Sequence, residues 1–379
     1  MKQIGNLLLL LFLLGLGWAC SSGGKEENHS GRAVELKYAT LFELTECENY
    51  TLALVKDPWN EGSILATYVL VEGEGELPKS LPEGKVIRTP LQKAVVTSSV
   101  HASLLLELGA GEKIAGLTDV GYIISPEVKS LLEDHGGDAR DMGSTLLPDA
   151  ELAFSIGADA ILVSPFENAG HGAWEREEFT LIECADYMEV SPLARAEWMR
   201  FYGRLFGEGE KADSLFERIS QSYLRLKSRV REAEPEKPKV ICDLLLNGVW
   251  YTPGGASTMG QLLVDAGADY PWADRARRGS LSLNLESIFA EGRDADFWLV
   301  KYGQTNDLTY AQMAVDCPQY TDFEAWKNRH VLGCNTLKKP FYEETPFHPE
   351  KLLAELIAIF HPRLQAPPSQ TFYSPLAEE

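Results

Sequence analysis

The pattern of apolar and polar positions divides the chain into three kinds of segment. Residues 36–72 read LKYATLFEL, YTLALV and ILATYVLV, rich in β-branched and aromatic residues and separated by Asn, Asp, Pro and Gly. That pattern predicts a small antiparallel meander, with 73–85 as a loop. From Arg88 the rhythm becomes one of alternating strands and helices. Strands are predicted at 94–99, 114–117 and 160–164, and helices at 101–108, 125–132 and 148–156. The alternation resumes after 235, with strands at 240–246 and 297–300 and helices at 259–266, 283–290 and 349–360. Such alternation predicts parallel sheets with helices on their faces.

Between the two stretches lies 211–231, where Leu215, Phe216, Ile219, Tyr223, Leu226 and Val230 recur every three or four residues. This spacing puts them on one helical face. A helix of that length, at 1.5 Å per residue, spans roughly 30 Å. The pattern fits both a strut between two lobes and an amphipathic helix inside one domain, and the α/β segments on either side favour the strut. Gly207 to Gly209 is the expected turn into it. A weak repeat flanks it: Glu151 is followed by Gly157 and Asp159, and Glu286 by Gly292 and Asp294, each set leading into an apolar strand.

The first residues add a targeting signal. Lys2 precedes an uncharged apolar run over 4–16, which is short for a membrane span and suits a signal sequence. The run ends in Gly17-Trp18-Ala19-Cys20, resembling a bacterial lipobox in which Cys20 becomes the lipidated residue. That leaves Cys47, Cys184, Cys242, Cys317 and Cys334, with no CxxC or zinc spacing; Cys317 and Cys334 are the one pair to test for a bridge. The 379 residues suffice for two domains, with 45% hydrophobic and 24% charged residues. A formal charge of −21 argues against nucleic acid and anionic membrane surfaces as partners. The GxSxG, HExxH and P-loop motifs do not occur, so an exported hydrolase is disfavoured and no catalytic residue or cofactor is nominated.

Several ordered motifs over 88–362 carry a resemblance: VVTSSVHASLLLELGAGEKIAGL, DMGSTLLPDAELAFSIGADAILVS, SPLARAEWMRFYGRLFGEGEKA and PGGASTMGQLLVDAGADYPW. They resemble the ABC-importer substrate-binding proteins for iron chelates and cobalamin. The resemblance implies an α/β fold of two Rossmann-like lobes with central parallel sheets, joined by one long helix, and a ligand cleft between the lobes. It also implies a monomer whose Glu151 and Glu286, one per lobe, dock on arginines of an ABC permease dimer. The expected organisation is a signal peptide (1–19), a lipidated linker (20–35), a β-rich segment packed on the first lobe (36–87), the first lobe (88–193), the connector (194–234), the second lobe (235–365) and a tail (366–379). The location is the cell envelope, with the lipid anchor as the only membrane contact.

Ligands of open parallel α/β sheets lie beyond the carboxyl ends of the strands. That rule nominates Ser99, His101, Tyr122, His171 and Trp174 on loops of the first lobe. Trp250, Tyr251 and Tyr302 are their counterparts in the second, and Trp198 joins them from the connector. A cleft so rich in aromatic rings suits a large planar or hydrophobic chelate. His171 alone could ligate iron or cobalt axially, but the histidines form no ligand set for a bare metal. Arg275, Arg277 and Arg278 could hold carboxylates of a ligand or form a solvated loop. The expected ligand is an iron chelate, siderophore or haem. Cobalamin is the alternative, as is a surface lipoprotein that binds a chelate or partner without a permease.

Overall fold

A computed structural model describes residues 31–176, 178–364 and 372–379. The predicted signal sequence, Cys20 and most of the linker lie outside the described residues. The first unit is a five-stranded sheet of β1 (Arg32–Ala33), β2 (Phe42–Glu46), β3 (Thr51–Lys56), β4 (Ile64–Glu72) and β5 (Lys85–Thr89) in sequence order. β1 to β4 pair antiparallel, as the meander pattern predicts, whereas β5 runs parallel to β4. Two expectations need correction here. The sheet starts inside the predicted linker, at Arg32, and residues 37–41 are not strand. Their backbone N–H groups are taken by two buried carboxylates: Glu197 accepts from Lys37, Tyr38 and Ala39, and Glu189 from Thr40 and Leu41, at 2.7–2.9 Å. Carboxylates satisfy these groups in place of a ladder, and so fix the sheet to the first lobe.

The first lobe is a parallel sheet in the order β12-β11-β6-β7-β8, from β6 (Ala94–Val96), β7 (Ile114–Leu117), β8 (Arg140–Asp141), β11 (Ala160–Val163) and β12 (Leu181–Glu183). Helices α1 (Ser99–Leu108), α2 (Pro126–Lys129) and α3 (Ala150–Ser155) connect its strands, and a small hairpin, β9 (Gly143–Ser144) with β10 (Leu147–Pro148), precedes α3. α2 is one turn, shorter than the 125–132 expected. Next come α4 (Pro192–Glu197), started by Ser191 capping the Ala194 N–H, and α5 (Met199–Phe206). Gly207 closes α5 at φ +75°, a conformation a Cβ would oppose, and the chain turns into α6 (Gly209–Ala233).

α6 decides between strut and core helix. Its 25 residues span about 37 Å. Ala212, Leu215, Phe216 and Ile219 are buried in the core of the first lobe, while Tyr223 and Val230 belong to the core of the second. One apolar stripe therefore serves two separate cores in succession, and the helix joins them rigidly.

The second lobe places β13 (Val240–Cys242), β17 (Phe297–Tyr302) and β18 (Val331–Asn335) parallel, with β19 (Ser374–Pro375) antiparallel at the edge. The expected 366–379 tail is corrected by β19: residues 374–375 complete the sheet, and Phe372 and Tyr373 are buried with their N–H groups on Glu355. A three-stranded antiparallel sheet of β14 (Leu245–Leu246), β15 (Val249–Pro253) and β16 (Ser280–Leu283) stands beside it. Asn247 and Gly248, at φ 51° and 82°, make the tight turn between β14 and β15 that the Asn-Gly pair favours. The lobe is completed by α7 (Thr258–Asp265), α8 (Leu285–Gly292), α9 (Tyr310–Asp316), α10 (Glu324–Lys327), α11 (Phe341–Glu344) and α12 (Pro349–Phe360). The predicted strand 240–246 is broken at Asp243, whose φ of 66° ends β13 and redirects the chain. Cys317 and Cys334 carry free thiols, so the bridge considered between them is not made.

Candidate functional site

The lobes meet through more than α6. Glu343 of α11 accepts the N–H groups of Ile124 and Ser125 in the first lobe at 2.8 and 2.7 Å. Burial raises its carboxyl pKa, and these two N–H bonds only partly offset the effect. His348 bonds Glu107 of α1 at 2.6 Å and Glu350 at 3.0 Å. Burial works against its charge, but the two carboxylates win and lift its pKa to about 9. Phe347 sits in the core of the first lobe, 6.2 Å from His101 and 6.0 Å from Tyr202 between ring centres. Arg278 reaches across to the Met188 carbonyl at 3.2 Å.

A cleft of about 600 Å3 opens where the strands of the second lobe end, with Tyr187 of the first lobe as its opposite wall. Tyr251, Tyr302, Lys301, Asp243 and the leucines 244–246 line it, together with Met259 at the start of α7. Lys301 lies 2.7 Å from Asp243, both side chains about a fifth exposed. Burial disfavours the ammonium, but the Asp243 charge overrides that and raises the Lys301 pKa above its ordinary value. Behind the site, Trp298 donates its indole N–H to the Asp243 carbonyl and Trp250 to that of Cys242, both at 2.8 Å. The two indoles stack at 5.5 Å and hold the end of β13 in place.

The nominated residues therefore divide. Tyr251 and Tyr302 line the cleft. Trp250 does not: it is fully buried against Trp298. Trp198 is also buried, 4.9 Å from Phe42 and donating to Glu189, and so belongs to the joint between the first lobe and the N-terminal sheet. Trp174 packs edge-on against Phe179 in a separate small core. His101 is 4% exposed and bonds Asp186 at 2.8 Å. Asp186 also accepts from Tyr202 at 2.8 Å and from Arg195 at 2.9 Å; burial would raise its pKa, but His101 and Arg195 bring it down to about 2. His171 is held through Nε2 by Glu183 at 3.0 Å, which raises its pKa despite burial and occupies the nitrogen an axial ligand would use. Ser99 is half-buried in the first turn of α1, and Tyr122 projects 70% exposed after β7; neither lines the cleft. Of the arginines, Arg275 pairs with Glu291, Arg278 ties the lobes and Arg277 is exposed.

Strand-end reasoning missed Asp243 and Tyr187. The apolar run Leu244-Leu245-Leu246 hides the break at Asp243. Glu151 and Glu286 each lie in the first turn of an exposed helix, capped by Asp149 in α3 and Asn284 in α8. Glu151 pairs with Arg176 at 2.6 Å, whereas Glu286 has no ion pair among the described residues.

The sequence model of the family described as periplasmic binding protein matches residues 95–336. The chain belongs to this family, the one whose iron-chelate and cobalamin members its motifs resemble. Membership makes it a solute-binding protein. An uncharacterised lipoprotein of Methanocaldococcus jannaschii is 24% identical over 288 residues, 73% of this chain and 67% of that one. Among solved structures, a periplasmic binding protein from Veillonella parvula aligns with a TM-score of 0.58 and 18% identity, over 72% of this chain and 91% of that one. A periplasmic haem-binding protein from Pseudomonas aeruginosa aligns at 0.57 and 14%, over 76% and 99%. The sheet β1 to β5 precedes the matched region. No helix among the described residues is long and apolar enough to cross a membrane.

Proposed function

We propose that this protein is an extracytoplasmic, lipid-anchored binding protein that captures an iron chelate, siderophore or haem, between its lobes and delivers it to an ABC permease. The observation that carries this reading is the 600 Å3 cleft, with three phenol rings, a lysine and an apolar flank at its wall. No three His, Cys, Asp or Glu side chains among the described residues converge into a cation site. A metal held here would therefore bring its own chelator, and the protein would grip the organic shell. The haem-binding relative shares the lobe arrangement that such capture uses. Glu151 and Glu286 are the proposed docking carboxylates, since two charge-assisted contacts on separate lobes orient a docked protein without a large apolar patch.

The test follows capture and delivery together. Purified protein titrated with haemin, a ferric siderophore and cobalamin should show saturable tryptophan quenching with an iron chelate. Saturation by cobalamin alone would replace that ligand. In cells, Glu151→Arg with Glu286→Arg should abolish uptake and leave quenching unchanged; undiminished uptake would favour a surface lipoprotein working without a permease.

A further inference from the structure

Beside the cleft, sharing Thr258, Met259 and Lys301 as a common wall, lies a second chamber of about 170 Å3 wedged between α4, α7, α11 and α12. Its walls are mostly apolar, from Leu262, Phe341, Pro346 and Leu352, yet two cations, Lys301 and Arg195, also face it. This placement runs against the composition of a chain with 35 basic and 56 acidic residues. Lys301 spends one hydrogen bond on Asp243 and Arg195 one on Asp186; neither has another partner among the described residues. An ammonium has three donors and a guanidinium five, so both can take a further acceptor without leaving Asp243 or Asp186 unpaired.

An apolar chamber with two cations in its wall is poorly suited to a free inorganic anion, which would lose hydration on most sides. It suits a short hydrocarbon stem ending in a carboxylate. The volume equals about five or six waters at ~30 Å3 each, enough for such an arm or one small ring and too little for a porphyrin. We propose that this chamber seats a carboxylate-bearing arm of the captured chelate, and that Lys301 is the residue that selects for it. The proposal rests on the iron-chelate reading above and narrows it to chelates with a pendant carboxylate. Haem propionates and the arms of carboxylate siderophores share that chemistry.

Two ligand pairs separate the sources. The purified full chain is titrated with haemin against haemin dimethyl ester, and with a ferric hydroxycarboxylate siderophore against a neutral ferric trihydroxamate, reading tryptophan quenching. The carboxylate-bearing member of at least one pair should bind about tenfold or more tighter, as expected for one charge-assisted bond. Lys301→Gln should erase that preference, and Lys301→Arg should keep it. Equal affinity within both pairs, or a preference that survives Lys301→Gln, overturns the proposal. If Lys301→Gln fails to fold, equal affinity within both wild-type pairs or a preference lost in Lys301→Arg still overturns the proposal. Silence from all four probes would overturn the iron-chelate reading and this inference with it, whereas binding without preference overturns only the carboxylate arm.

Discussion

The two lobes share an architecture of parallel strands ending toward one cleft, yet they use those ends differently. In the first lobe the polar groups beyond the strands are turned inward: His101, Asp186, Tyr202 and Arg195 satisfy one another, and Glu189 and Glu197 hold the N-terminal sheet. That lobe also leaves large apolar side chains open near its strand ends, with Leu146 and Leu147 at 90% and 84% exposure and Phe166 at 59%. In the second lobe the indoles are turned inward and polar groups are left open, as Trp250 and Trp298 brace β13 while Asp243, Lys301, Tyr251 and Tyr302 reach the cleft. The same fold closes its polar groups on one another in one lobe and leaves them open to the cleft in the other.

Neighbouring residues Trp250 and Tyr251 test that division most directly. Trp250→Ala should destabilise the protein by about 3–5 kcal/mol through loss of a fully buried indole. Tyr251→Ala, at a side chain 44% exposed, should change stability by less than about 1 kcal/mol and weaken ligand binding instead. Urea unfolding and quenching titrations read the two effects, and a Tyr251 variant that unfolds as easily as the Trp250 variant would erase the distinction. Next in size is the coupling between lobes. Ser220 is buried midway along α6, between Ile219 in one core and Tyr223 in the other, and Ser220→Pro should cost about 3 kcal/mol or more. Calorimetry should then resolve two transitions in place of one; a single shifted transition would mean that other contacts couple the lobes without the helix.

The smallest expected effect concerns pH. The folded pKa of His348 is raised from 6.5 to about 9. Its contribution is therefore present in full below about pH 6.5 and is lost as pH rises through 9, on the order of 3 kcal/mol in total. Wild-type stability should fall more between pH 7 and 10 than that of His348→Gln, measured by thermal unfolding at each pH. Parallel curves would remove this bridge from the forces between the lobes.

How far the sequence could be read depended on what each pattern encodes. Helix 349–360 was legible to the residue because its apolar positions recur every three or four places and Pro349 opens it. β18 was not, because Val331–Asn335 is buried at every position and has no polar alternation to reveal it. At the candidate site, the strand-end rule located loops of the second lobe that line the cleft but says nothing about where a side chain points. It nominated Trp250 and Tyr251 alike, although successive residues of β15 face opposite sides. Buried carboxylates such as Glu189 and Glu197 were illegible for a related reason. Their partners are backbone N–H groups about 150 residues away, which leave no mark in the local pattern.

Phe347, seated in the first lobe although it belongs to a segment of the second, has a mechanical consequence. A body pinned to another at one point can swing freely, but one pinned at two can turn only about the line through them. α6 is the first pin and the Phe347 segment, with Glu343 and His348 beside it, the second. Clamshell gaping would have to extract a phenylalanine from packed surroundings, so the softest motion left to the cleft is a small twist about that axis.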